Sequence, residues 1–308
     1  MFSRLLKLFR RDECQALVIL PRPVVSLPPR VIHPLLETLK VLPRIATRLR
    51  RPTWRSLGRQ SRGLCHACGA VTEFAMFDVV PAGLAEDWRL RPDMKAAMDR
   101  RESGACLVCR NSYRGRQLAR ALVELYGRHG EASLAELTRS EHFRWLKILG
   151  VDLDSLGMLD ECPGFSRSNY ITSLIPARGL PDHGVPFADA SLDLVLASDT
   201  LEHVPRYRRV LEEIQRVLAP GGRFVTVQPV ILSRKTVTRC VVEEGGPVRH
   251  LLPPSYHCRG ADDSLVFVEF GIELLDEIEA AGLDVTVYFY NVPADDFTWV
   301  AVCQKTRA

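Results

Sequence analysis

Four cysteines in two pairs, Cys65 with Cys68 and Cys106 with Cys109, have the spacing of metal ligands. A CxxC turn aims both thiolates at one point, and two such turns complete a tetrahedral Zn2+ site. Gly69 suits the tight turn after the first pair, where backbone amides can hydrogen-bond the sulfurs. A four-cysteine site has no open coordination position, so its metal would be structural rather than catalytic. Two pairs of buried or redox-active thiols are the other reading, and His66, inside the first pair, is read as a bystander. A second group, Ser198, Asp199, Glu202 and His203, follows directly on the apolar run LDLVLAS, and a third, His250, Tyr256 and His257, lies in RHLLPPSYHCRG. Imidazoles, carboxylates and a phenol are the side chains that accept or relay protons. The same residues also have structural uses: Glu202 as a cap for the following helix, and the histidines and tyrosine as hydrogen-bonded packing residues.

From about Leu156 onward apolar β-branched runs alternate with amphipathic ones. LGMLDEC, SNYITSLI, LDLVLAS, RFVTVQPV, LDVTVYFY and TWVAVCQK are predicted as strands. RYRRVLEEIQRVLA places Tyr207, Val210, Leu211, Ile214, Val217 and Leu218 on one helical face before Pro220, Gly221 and Gly222, and GIELLDEIEAAGL is a second helix stopped by Gly282. The alternation predicts an α/β domain with a mostly parallel sheet, and the short NVPADDF connection makes the last strand antiparallel to its predecessor. Ligands of such sheets sit beyond the carboxyl ends of the strands, which is where Ser198, Asp199, Glu202 and His203 fall. Upstream, Leu118, Ala121, Leu122 and Leu125 mark a helix ending near Gly127, and SLAELTRSEHFRWLKILG is read as a further helical stretch.

The 308 residues, 46% apolar and 25% charged, suffice for one sizeable domain and a smaller one. Residues 1–62 hold 14 Lys+Arg against 3 Asp+Glu, or +11, and the remainder holds 27 against 34, or −7. The organisation expected is a basic arm (1–62), a zinc-binding module (63–130), a helical connector (131–155) and an α/β domain (156–308). The arm has helical spacing at Phe2, Leu5, Leu6 and Phe9 and suits an anionic membrane, nucleic acid, or simply the acidic body. No uncharged apolar run approaches the roughly 18 residues of a membrane span, and the arginine-broken start is unlike a secretion signal. A cytoplasmic protein with nine reduced cysteines is the expectation.

The stretch from Val185 to Pro229 resembles the class I S-adenosylmethionine-dependent methyltransferases of the type 11 kind. The likeness is carried by Pro186, Phe187, Asp189 and Ser191, by Leu201 to Val204 (LEHV), and by Arg216 to Gly222 (RVLAPGG). It extends to RHLLPPSYHCRGADDSLVFVEFG, an insertion that in related enzymes overhangs the cofactor, and the four-cysteine segment also looks like one preceding some of these enzymes. The resemblance implies a Rossmann-like sheet, S-adenosylmethionine as cofactor, and methyl transfer to a small-molecule or glycan-like acceptor. It implies an adenine contact at Asp182 and makes His250, Tyr256 and His257 candidates for acceptor contact or general base, beside Ser198 and Asp199 as cofactor contacts and His203 as a catalytic candidate at the strand end. The segment LDECPGFSRSNYITS would be the cofactor loop, with Glu161, Pro163 and Gly164 against the ligand. It departs from the family in having one glycine, too little chain for a full crossover helix, and no acid ending the next strand, where SLIPAR offers Ser173. A non-catalytic relative, whose zinc module and arm bind a partner, is the alternative.

Overall fold

The structure, a computed structural model, describes residues 26–27, 61–151, 156–168, 187–231, 233–242, 246–259, 262–290 and 299–306. One sheet contains β1 (Ser26–Leu27), β2 (Ile148–Val151), β3 (Phe165–Ser168), β4 (Leu192–Ser198), β5 (Leu218–Val227), β6 (Leu283–Phe289) and β7 (Trp299–Lys305). Their spatial order is β1-β6-β7-β5-β4-β2-β3. Strands β3, β2, β4 and β5 pair in parallel, while β7 runs antiparallel between β5 and β6, so five strands share one direction. This is the Rossmann-like sheet with a reversed last strand that the sequence led us to expect.

Alternation along β4 divides the core. Val195 and Ala197 join the face covered by α3 (Tyr207–Val217) and α4 (Glu273–Ala280), where Val210, Leu211 and Ile214 pack with Leu274, Leu275 and Ile278. Leu194 and Leu196 join the other face with Val225, Val300 and Val302. That face is covered by α2 (Tyr113–Tyr126), whose Leu118, Ala121 and Leu122 are fully buried. Helix α2 belongs to the four-cysteine module, so module and sheet share one apolar core, in which Cys65 and Cys106 also take part.

The first crossover differs from the expectation. LGMLDEC is not a strand: Gly157–Glu161 is a single 3-10 turn, and the first parallel strand, β2, comes from ILGV within the stretch expected to be a helical connector. That stretch otherwise holds two one-turn helices, Leu134–Leu137 and Glu141–Arg144. Lys147 ends the amphipathic spacing, and Ile148 to Val151 then form a short wholly buried run, a pattern that does not by itself separate strand from helix. The described part of the connection from β2 to β3, residues 156–164, therefore holds a single 3-10 turn.

Gly164 stands at the entrance to β3. Its carbonyl accepts from Ile148 N at 2.9 Å, and a Cβ added to it would lie 2.1 Å from Leu146 O and 2.9 Å from Leu146 C. Both obstacles are backbone, so no side-chain rotation relieves them. Gly164→Ala is expected to lower unfolding free energy by about 3 kcal/mol, read as a drop in urea midpoint at unchanged slope.

Candidate functional site

The two cysteine turns are built alike. Gly69 N donates to Cys65 O at 2.7 Å and Arg110 N to Cys106 O at 2.9 Å, and both Gly69 and Arg110 have positive φ, 80° and 64°. The left-handed residue after each pair reverses the chain, a conformation that glycine adopts freely and arginine only under constraint. The turns face each other with Cys65 Sγ 3.7 Å from Cys109 Sγ and Cys68 Sγ 3.8 Å from Cys106 Sγ, and all four sulfurs lie within 4.8 Å of one another. Tetrahedral Zn–S bonds of about 2.3 Å place sulfurs about 3.8 Å apart, so the donor set and its dimensions fit zinc. Cys109 accepts a hydrogen bond from Cys65, and Asn111 Nδ2 approaches its sulfur at 3.4 Å; together they hold its thiol low, at about 4, while Cys65 is pushed up. His66 points elsewhere, its Nδ1 3.3 Å from Ala132 O.

At the carboxyl end of β4 the chain turns sharply. Asp199 has φ 48° and donates its N–H to Val227 O at 3.0 Å, joining the ends of β4 and β5. Gln228 Oε1 accepts from Thr200 N and Leu201 N at 3.2 and 3.3 Å, and Gln228 Nε2 donates to Thr226 Oγ1 at 2.7 Å. The buried Asp199 carboxylate meets two guanidinium groups: Arg101 Nη1 donates to Oδ2 at 2.7 Å, Arg101 Nη2 reaches Oδ1, and Arg114 forms a further ion pair with Oδ2. Arg101 ends α1 (Pro92–Glu102) and Arg114 begins α2, so both come from the four-cysteine module. The Ser198 hydroxyl is buried and has no hydrogen-bond partner among the described residues.

The insertion after β5 covers this turn. Phe267 N donates to Glu202 O at 2.8 Å, and His203 Nδ1 lies 2.9 Å from Leu265 O. A carbonyl only accepts, so Nδ1 is the donor of this pair, and Nε2 lies 3.8 Å from Glu202 Oε1. On its other side the insertion meets the module: Trp88 Nε1 donates to Ser255 Oγ at 3.0 Å, and the buried Arg239 bridges Asp87, at 2.8 Å, and Glu269.

Comparison with known proteins supports the same domain. The family described as "Methyltransferase domain" matches residues 130–226, which takes in β2, the 198–203 turn and nearly all of β5. Residues 130–226 are thus similar to a methyltransferase domain, and they lie on a sheet of the class I kind. Two curated relatives match short stretches. A sterol 4-C-methyltransferase of Caenorhabditis elegans is 44% identical over 41 residues, 13% of this chain and 12% of that protein. A dimethylglycine N-methyltransferase of Parasynechococcus marenigrum is 48% identical over 46 residues, 15% of this chain and 16% of that protein. The chain thus spans less than a fifth of the length of these relatives. A solved 1,6-didemethyltoxoflavin-N1-methyltransferase of Burkholderia thailandensis aligns at 17% identity over 76% of this chain and 95% of that one, with a TM-score of 0.32.

Within the matched segment, Ser198, Asp199, Glu202 and His203 come together at the carboxyl ends of β4 and β5, as their position after LDLVLAS implied. Glu161, Pro163 and Gly164 do not join them. Ile148 pairs with Phe165, so the residues just before Phe165 lie at the amino edge of β2 and β3, the opposite end of the sheet. Residues 152–155, next in sequence after β2, lie outside the described residues, as do Ser173, Asp182 and all of the basic arm except Ser26–Leu27 and Ser61–Arg62. Tyr256 is exposed on the insertion, His250 is exposed opposite Cys240, and the backbone of His257 pairs with Ser264. Arg101, Arg114 and Gln228 had no motif to announce them; the one signal was the equal five-residue spacing of Arg101 before Cys106 and of Arg114 after Cys109. Among the described residues no helix is long and apolar enough to cross a membrane.

Purified protein is expected to carry about one zinc per chain by elemental analysis, and Cys65→Ser to lose it and unfold at lower temperature, because a structural metal contributes directly to folding. Well under one equivalent, with Cys65→Ser melting normally, would count against the centre.

Proposed function

We propose that this chain is an S-adenosylmethionine-dependent methyltransferase whose acceptor is a small or glycan-like molecule with a protonated nucleophile. The observation that carries the proposal is the placement of chemistry on the sheet: a buried, unpartnered Ser198 hydroxyl and His203 at the carboxyl end of β4, inside the segment matched to the methyltransferase family. An orphaned buried hydroxyl costs roughly 1–3 kcal/mol unless a ligand or water satisfies it, so Ser198 fits a polar ligand group at this end of the sheet.

The cofactor supplies an electrophilic methyl group on a sulfonium. The chain's part is to align the acceptor and remove its proton. His203 is oriented by Leu265 O, so its Nε2 is the nitrogen that takes the proton, and Glu202 beside it stabilises the imidazolium that results. Tyr256 and His257, on the insertion strand Tyr256–Arg259, are the acceptor-side contacts of this reading. Ser198 and the Ser198–Leu201 backbone are its cofactor-side contacts, and Asp182 remains the candidate for the adenine amino group. Asp199 differs from its expected role, since its carboxylate is engaged by Arg101 and Arg114 and it serves the ligand through its backbone turn.

Calorimetric titration with S-adenosylhomocysteine should give saturable heat in the micromolar range, and Ser198→Ala should weaken it about tenfold, one lost hydrogen bond. His203→Gln should cut kcat about 100-fold with cofactor affinity unchanged. No heat or thermal shift at millimolar cofactor would overturn the enzyme reading and leave the non-catalytic alternative, in which the module and the +11 arm bind a partner or an anionic surface.

A further inference from the structure

Cys106 and Cys109 lie at the tip of a short loop whose two ends converge on Asp199. Arg101 stands five residues before Cys106, and Arg114 five residues after Cys109. Both ion-pair with the same carboxylate, and Glu102, 3.2 Å from Arg114 and in contact with Arg101, balances the cluster. Between base and tip the two arms are tied together: Tyr113 N donates to Ser103 O, Arg116 Nη2 to Gly104 O and Cys106 N to Asn111 O, each at 2.9 Å. Gly104, with φ 50°, could not carry a Cβ, which would lie 2.8 Å from Tyr113 Cβ. The loop is thus stiff along its length, pinned at the tip by the four sulfurs and at the base by Asp199.

The pinned residue belongs to the methyltransferase sheet. Asp199 holds a left-handed backbone and links β4 to β5 through Val227 O, so its side-chain partners help to fix the turn that carries Ser198 and His203. Arg101 is only 1% exposed, and a guanidinium so buried is firmly held where its counter-charge stands.

We propose that Arg101 and Arg114 are positioning residues that couple the four-cysteine centre to the Asp199 turn, so that metal retention and the geometry of the cofactor end depend on each other. The cofactor half of this coupling rests on the methyltransferase reading; the metal half does not. Linkage requires the effect to be reciprocal.

The test measures zinc release from the full chain to a chromogenic chelator. Asp199→Asn, though far from the sulfurs in sequence, is expected to release zinc at least about fivefold faster than wild type. Asp193→Asn, on the same strand but bonded to Lys147 N, is expected to match wild type. Release from Asp199→Asn at the wild-type rate overturns the proposal. S-adenosylhomocysteine should slow release from wild type and lose that effect in Arg114→Gln, a response that a merely structural arginine would not show. Equal slowing in Arg114→Gln overturns the cofactor half. If wild type shows no heat with S-adenosylhomocysteine, the methyltransferase reading fails while the Asp199→Asn comparison still decides the metal half. Should Asp199→Asn not fold, hydrogen exchange of wild type decides instead: zinc removal should expose the amides of 199–204 together with those of 103–113, while β6 and β7 keep their protection. Unchanged protection at 199–204 overturns the coupling.

Discussion

A parallel sheet has two apolar faces, and both must be covered for the strands to be stable. In this chain the described residues of the crossover from β2 to β3 contribute only the 3-10 turn Gly157–Glu161. The uncovered face is met instead by α2, which enters from the four-cysteine module with Leu118, Ala121 and Leu122 fully buried against β4, β5 and β7. The module is therefore part of the domain's core rather than an appendage. Its cysteines belong to the same apolar cluster as the strand residues, so a metal bound by the two turns would also hold α2 over the sheet.

The same substitution brings charge to the ligand end. With α2 in place, its first turn delivers Arg114 and the preceding helix delivers Arg101 to the carboxyl end of β4, where Asp199 receives both. Buried charges of this kind are tolerated only when mutually satisfied, and removing one partner is far more costly than never having had the pair. The insertion then closes over the turn through Glu202 and His203 and is tied to the module through Trp88. Module, sheet and insertion meet at the end of β4 that carries Ser198 and His203.

Much of this was legible in the residues. Helix α3, with its single apolar face, and β4, β5, β6 and β7 follow from periodicity, because each is long enough for the pattern to be unambiguous. The four-cysteine centre followed from spacing alone, since two CxxC turns can present four sulfurs to one ion. The first strand was not legible: ILGV is four buried apolar residues after a helical stretch, and a run that short carries no period. With β2 placed at ILGV, Gly164 of LDECPGFSRSNYITS lies at the amino edge of the sheet, opposite the end that carries Ser198 and His203.

The sequence by itself determined the α/β class, the reversed last strand, the four-cysteine cluster and the position of Ser198 to His203 after a strand, because all of these depend on local spacing. Only the tertiary structure decided which helix covers the second face, at which end of the sheet Gly164 falls, and that Asp199 is claimed by arginines about a hundred residues upstream. Those outcomes depend on strand register and on long-range pairing of buried charge, and neither leaves a periodic trace in the chain.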